Sequence, residues 1–431
     1  MWICLAIFAF MLLGYVFADK LHTSSGVIAT AVFALVAFSG LLEKPSEVLT
    51  VLGNANVTLI VSMFIVSAGF NRTQTVNKLA GLVSKISGGN FTRMLAGYVL
   101  LTFALSQFIP SPLAVFAIVS PLAAVVCKEN NISVSKVMFP IVLTDVGTCG
   151  SIPVGSGATT FATMNGYLES YGYTDYSMAL LDPFKGRWLV SILIVLFSIF
   201  IAPRFCPEQP SVTVAEAESK AGKKGPAPLD TVREFLGVAI FVLTTVCLIF
   251  QTKLGLASWQ IALAGAAILC ITGVLKPNEA AAAVPIRIVM LIVAALSLGK
   301  AMIACGLGDL IGDAMANALG GTTNGYVIGA VFFVVPFILT QFMQNQSVQN
   351  IFLPILILTC KSLGCNPIGP LILLNASTLT AFLTPMATPV IPVCMDAGGY
   401  NQRDLLKMGW LPSLVIAVVS VIVVMTIFPA Y

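Results

Sequence analysis

The chain is 431 residues long, 58% hydrophobic and only 9% charged, with a formal net charge of +4. Soluble chains carry roughly 25% charged residues, so so much apolar surface needs a bilayer, whose ~30 Å hydrocarbon core takes about 20 apolar residues per helix. The small charge excludes a nucleic-acid patch, the single histidine, His22, excludes a histidine-ligated metal centre, and ten cysteines without a CxxC pair read as small buried residues.

Residues 1–18 have no basic stretch before Trp2 and no small-x-small cleavage site, so they read as a first transmembrane helix and not a signal peptide. Apolar runs follow at 25–42, 56–70, 95–127, 136–166, 188–202, 234–252, 259–274, 286–303, 325–360, 368–398 and 409–429. The runs 95–127 and 325–360 are too long for one helix and are broken by Gln107-Phe108-Ile109-Pro110-Ser111-Pro112 and by Gln341-Phe342-Met343-Gln344-Asn345-Gln346-Ser347. Each predicts a re-entrant hairpin. The runs 136–166 and 368–398 carry Gly147-Thr148-Cys149-Gly150-Ser151-Ile152-Pro153 and Leu383-Thr384-Pro385-Met386-Ala387-Thr388-Pro389, and predict spanning helices unwound near the midplane.

The breaks occur twice because the sequence repeats. Lys44-Pro45 and Glu47 recur as Lys276-Pro277 and Glu279, 232 residues on; Pro153 and Pro385 share that spacing, and Pro121 and Pro354 lie 233 apart. Each half then holds five spans and a hairpin, and an odd number of spans turns the second half upside down. The predicted fold is an all-α polytopic membrane protein of two inverted repeats: residues 1–202, a cytoplasmic linker at 203–233 rich in Pro, Ala, Lys and Glu, and residues 234–431. With both termini outside, the inside segments hold 16 Lys and Arg and the outside segments 5, with Lys300 inside a span. This is a positive-inside bias, and it fits a bacterial inner membrane. Segment 71–94, basic and without acids, is expected to lie as an amphipathic helix on the inner face, and 304–324, with Asp309 and Asp313, on the outer face. Arg287 reads as a cytoplasmic anchor.

Backbone groups freed by a break at membrane depth must line a cavity or be bonded within the protein. Helix N-termini attract anions, and unwound carbonyls coordinate cations. The polar and small residues at the four breaks are Ser111, Gly147, Thr148, Gly150, Ser151, Gly155, Ser156, Asn345, Gln346, Ser347, Thr384 and Thr388. Their hydroxyls and amides suit an ion or an anion equally, and small residues also serve close helix packing. Asp145 is an acid within a span, where insertion is unfavourable by roughly 2.5–3.5 kcal/mol; it is a candidate to bind a cation or carry a proton. No HExxH, GxSxG or P-loop motif occurs, which argues against an enzyme or a nucleotide-driven pump.

The segment Val66-Ser67-Ala68-Gly69-Phe70-Asn71-Arg72-Thr73, the second break Leu383 to Pro389 and the tail Gly398-Gly399-Tyr400 with Asp404 and Lys407 carry a resemblance. The chain resembles the divalent-anion:sodium symporter family of the ion transporter superfamily over nearly its whole length. The family's Ser-Asn-Thr hairpin tips are replaced here by Ser111-Pro112-Leu113 and Gln344-Asn345-Gln346. What the resemblance implies is a homodimer whose transport domains move like elevators against a fixed scaffold, carrying di- or tricarboxylates or sulfate, usually with sodium. On that basis Ser111, Ser156, Asn345, Gln346, Ser347 and Thr388 are expected to bind the substrate. Asp145, Gly147, Thr148, Gly150, Ser151, Gly155, Thr384 and Ala387 are expected to bind or couple the cation. The expected function is secondary active transport of a small anion such as a dicarboxylate or sulfate, coupled to sodium or protons, with no resident cofactor and with lipid around it. A cation/proton antiporter of the same superfamily and a non-transporting membrane subunit are the alternatives.

Overall fold

The computed structural model describes residues 1–17, 23, 25–74, 90–109, 111–153, 155–211, 229–319, 322–385 and 387–431, save the side chains of Val16, Ser25, Ser156 and Thr252. The core of the expected helix 71–94, most of the linker 203–233, and His22 lie outside the described residues. The first half runs α1 (Trp2–Phe17), α2 (Ser25–Phe38), a 3-10 turn (Pro45–Val51), α3 (Ala55–Asn71), α4 (Phe91–Phe108), α5 (Pro112–Glu129), α6 (Met138–Thr148), α7 (Ser156–Ser170) and α8 (Asp182–Phe200). The second runs α9 (Thr231–Ile249), α10 (Ser258–Ile271), α11 (Pro277–Ala283), α12 (Ile286–Ala304), α13 (Leu307–Ala318), α14 (Gly325–Thr340), α15 (Asn345–Leu363), α16 (Ile368–Leu379), α17 (Val390–Gly398) and α18 (Gln402–Ile427). Pro45–Val51 and α11 are both seven-residue elements opened by a proline, 232 residues apart.

Local chemistry sets these boundaries. α4 opens on Asn90, whose side chain accepts from Arg93 N at 3.2 Å. It stops where Ile109, the residue before a proline, takes an extended backbone (φ −99°, ψ 112°). α5 restarts three residues later with Ser111 as N-cap and Pro112 in its first turn. The two helices touch, and Tyr98 Oη donates to Leu122 O across them at 3.2 Å.

Six described helical stretches are long and apolar enough to cross a membrane, the last being Gln402–Ile427, and five shorter apolar helices accompany them. Large apolar side chains such as Phe38, Ile271 and Trp2 remain exposed, as a lipid-facing surface requires.

The polar loops gather into two faces. One joins Arg72 to Glu279 at 3.4 Å, Gln74 N to Glu234 at 2.6 Å, Lys136 to Glu208 at 3.6 Å and Ser211 N to Gly399 O at 2.8 Å. The other joins Lys300 to Thr50 at 2.8 Å, Asn54 to Glu169 at 3.3 Å, Ser362 to Asp313 at 2.6 Å and Asn366 N to Ala430 O at 2.9 Å. Every segment on the first face comes from the set whose charge bias predicts one side, and every loop on the second from the other set.

Between the faces, α2 packs on α12 and α3 on α10, while α4, α5, α8 and α17 surround α6. α7 packs on both α3 and α12, and so connects the two groups.

Candidate functional site

Both predicted breaks are interruptions of helix. α6 ends at Thr148, Cys149 leaves the helical region (φ −52°, ψ 128°), and α7 resumes at Ser156. Gly155 sits at φ +51°, where an added Cβ would also lie 2.7 Å from Gln107 O, so only glycine fits this crossing. In the second half α16 ends at Leu379 and α17 starts at Val390.

A buried glutamine holds each break. Gln107, in the last turn of α4, donates through Nε2 to Thr148 O at 3.0 Å and to Phe103 O at 2.9 Å. Its Oε1 accepts from Ile152 N at 3.0 Å and from Ser151 Oγ at 3.1 Å. Gln341, just after α14, repeats the pattern: Nε2 donates to Thr380 O at 2.9 Å and Phe337 O at 3.1 Å, and Oε1 accepts from Leu383 N at 3.1 Å. Thr384 Oγ1 also donates to Gln341 O. One side chain thus satisfies a carbonyl on the near side of the break and an amide on the far side. Buried backbone groups left unpaired would cost roughly 1–3 kcal/mol each. Sequence reading noted both glutamines as hairpin-turn residues and assigned neither a role. Their signal was a polar amide closing an otherwise apolar helix in both halves, 234 residues apart.

The first break has a second holder. Arg187, on α8 and 4% exposed, donates through Nη2 to Gly147 O at 3.0 Å and through Nη1 to Cys149 O at 3.0 Å. Nη1 also lies 3.4 Å from Asn375 Oδ1 of α16, which ties the first break to the second half. Arg187, counted from sequence among outer loop charges, is therefore a core residue. The halves meet again where the rings of Phe139 and Phe382 lie 6.3 Å apart edge to face, and where Tyr167 Oη donates to Asn350 Oδ1.

Asp145 is fully buried, and among the described residues neither carboxylate oxygen has a hydrogen-bond partner. Leu143 and Gly147 face Ile194 of α8, and Thr148 faces Ser106 of α4 at 3.2 Å. Two residues of helix turn through about 200°, so Asp145 points away from α8, toward α5 and α17, which also pack on α6. Thr388 Oγ1, immediately before α17, is likewise buried without a partner among the described residues.

The remaining predicted residues fall into two clusters. Gly147, Thr148, Gly150, Ser151 and Gly155 form the first break, and Gly150 has φ +63°; Ser156 opens α7, its side chain outside those described. Thr384, Ala387 and Thr388 form the second break, where Ala387 N donates to Thr384 O at 3.2 Å. Asn345 Oδ1 accepts from Thr340 Oγ1 at 2.9 Å, and Ser347 is buried in the first turn of α15. Ser111 and Gln346 are exposed on their turns; Ser111 Oγ caps α5 by accepting from Ala114 N at 3.4 Å. Arg287, read as an anchor, hydrogen-bonds Gln344 at the α14–α15 turn.

An all-helical, multi-span membrane protein with two interrupted helices held against each other defines a class of membrane carriers. The citrate transporter family CitMHS matches residues 7–349 and 245–431, and the chain belongs to this family of the ion transporter superfamily. It is thereby a transporter-family protein and not an enzyme. Among similar proteins, an uncharacterized transporter of Synechocystis is 26% identical over 205 residues, which is 47% of this chain and only 33% of that protein. The sodium-dependent dicarboxylate transporter SdcS of Staphylococcus saprophyticus is 22% identical over 94% of this chain and 82% of its own length. Among solved structures, the Alcanivorax borkumensis YdaH transporter aligns over 88% of this chain and 87% of its own with a TM-score of 0.64 at 15% identity. MtrF of Neisseria gonorrhoeae aligns over 86% and 80% with a TM-score of 0.58 at 14% identity. These two show a shared fold.

Proposed function

We propose that the protein is a secondary active transporter that carries a small anion, such as a dicarboxylate or sulfate, down a coupled sodium or proton gradient. The observation that carries this reading is the repeated constellation of turn, glutamine and broken helix, with the unpartnered Asp145 buried beside it. The α4–α5 and α14–α15 pairs are read as re-entrant hairpins of two inverted repeats. Helices α5, α7, α15 and α17 all begin at the turns or breaks, and helix N-termini favour anions. Ser111, Ser156, Asn345, Gln346, Ser347 and Thr388 are assigned to the substrate. Thr384 and Ala387 of the second break and Asp145 are assigned to the coupling cation or proton, and the first-break residues Gly147, Thr148, Gly150, Ser151 and Gly155 to the frame that presents it. The protein works as an elevator-type homodimer in a bacterial inner membrane, with both termini outside. The name of the staphylococcal relative, a sodium-dependent dicarboxylate transporter, supports the substrate class.

The test is uptake of labelled succinate, citrate or sulfate into proteoliposomes under a sodium gradient and, separately, a proton gradient. Saturable uptake of one anion is expected; a folded, monodisperse protein that accumulates none of them under either gradient refutes the anion reading. The isolated Asp145 also favours a second reading, cation/proton antiport. Asp145→Asn separates the two: loss of cation/proton exchange in the absence of any anion supports antiport, whereas altered pH dependence of anion uptake supports symport.

A further inference from the structure

We infer that Arg187 is a built-in cation for the first break, so that the first half of the chain takes no sodium and any coupling sodium binds at the second break. The inference rests on the transporter reading above and refines which ion that site uses. The C-terminal end of α6 is where a metal cation would bind, because the last carbonyls of a helix carry partial negative charge and an unwound segment frees them for coordination. Three successive carbonyls are already occupied. Gly147 O and Cys149 O each receive a guanidinium N–H at 3.0 Å, and Thr148 O receives the Gln107 amide at 3.0 Å.

The guanidinium is buried, yet no carboxylate lies within salt-bridge distance of it among the described residues. Its charge is balanced by carbonyl dipoles and the Asn375 amide oxygen, the ligand set a dehydrated sodium ion would seek. Arginine keeps its proton at any physiological pH and its fork matches two carbonyls at once, so this cation neither leaves nor exchanges. At the second break the equivalent position is different. Thr380 O accepts the Gln341 amide and Gln341 O accepts the Thr384 hydroxyl, and no Lys or Arg donates to either carbonyl among the described residues.

The test reads sodium binding on the purified protein with no substrate present, as the rise in melting temperature in sodium chloride over choline chloride. A ligand that binds only the folded state raises that temperature with its concentration. Arg187→Gln leaves Gly147 O and Cys149 O open, and is expected to add a saturable sodium-dependent rise that the parent protein lacks; Arg187→Lys, which keeps the charge, adds none. A folded Arg187→Gln protein with no added sodium response overturns the inference. If that variant does not fold, the parent and Thr384→Val decide. A parent with no sodium response, or one that Thr384→Val abolishes, agrees with it; a response that survives Thr384→Val places sodium at the first break and overturns it. Failure here leaves the uptake result untouched, and failure of uptake leaves this result standing, so the two readings are judged separately.

Discussion

Gln107→Leu isolates what the glutamine does. The substitution keeps the bulk but deletes the acceptor of Ile152 N–H at 3.0 Å and the donor to Thr148 O at 3.0 Å. Thr148 O retains a second donor, Ser151 N at 3.2 Å, so the larger loss falls on the Ile152 amide. A buried hydrogen bond contributes about 0.5–1.5 kcal/mol net, which corresponds to about two- to twelve-fold faster exchange of that amide if it opens locally. Hydrogen–deuterium exchange read by mass spectrometry on peptides spanning residues 148–158 measures this directly. Gln107→Glu keeps the Oε1 acceptor and is expected to leave Ile152 protected while weakening the Thr148 side. Gln341→Leu is expected to produce the same acceleration at Leu383, whose N–H bonds Gln341 at 3.1 Å. Unchanged exchange at Ile152 in Gln107→Leu, or an acceleration spread evenly along the chain, would refute the clamp.

Three further outcomes follow from other contacts. Tyr167→Phe removes the donor to Asn350 Oδ1, and Asn350 Nδ2 already lacks a partner among the described residues. The variant should lose about 1–3 kcal/mol of stability, and Tyr167→Phe with Asn350→Leu should recover most of it in a thermal melt; a double variant no better than the single one would contradict this. Gly155→Ala puts a Cβ 2.7 Å from Gln107 O at a positive φ and should lower the melting temperature more than Gly255→Ala, whose Cβ would meet nothing within 4 Å at φ +65°; equal losses would show that the crossing at Gly155 is not tight. The Glu279 carboxyl is held below its usual value first by the Lys276 backbone N–H and also by Arg72. A depressed carboxyl stabilises the fold above the unfolded value near 4.5 and loses that contribution as pH falls through the folded value. Melting temperature should therefore drop less steeply below pH 4.5 in Glu279→Gln than in the parent; parallel acid limbs would exclude the effect.

The sequence made helices legible wherever apolar runs met a local stop. The run 286–303 became Ile286–Ala304, and 56–70 became Ala55–Asn71. The breaks were legible because glycine and proline cluster there, and both loop faces were legible from charge. The holders of the breaks were not. Arg187 follows Asp182, Pro183 and Lys185 at the start of a helix, which in one dimension looks like a membrane-surface end. Its role comes from α6, about 40 residues earlier, and α16, 188 residues later. Arg287 looked like an anchor for the same reason, while its partner Gln344 lies 57 residues on. Pattern reading records which face of a helix is polar; it does not record which distant helix end that face will meet.

The two halves have kept the same solution for a broken helix and changed its chemistry. In both, a glutamine from the neighbouring turn spans the gap, because a helix interrupted among apolar neighbours has no water to bond its freed groups. The first half adds a permanent positive charge at Gly147 O and Cys149 O, whereas the second has only the hydroxyl of Thr384 on Gln341 O. A site with a fixed cation can hold negative charge without recruiting an ion from solution, while the unfilled site must recruit one. Symmetry of backbone with asymmetry of charge therefore directs the search for a coupling ion to the second break, and the search for a titrating group to Asp145, whose carboxylate lies two residues before the first carbonyl that Arg187 takes.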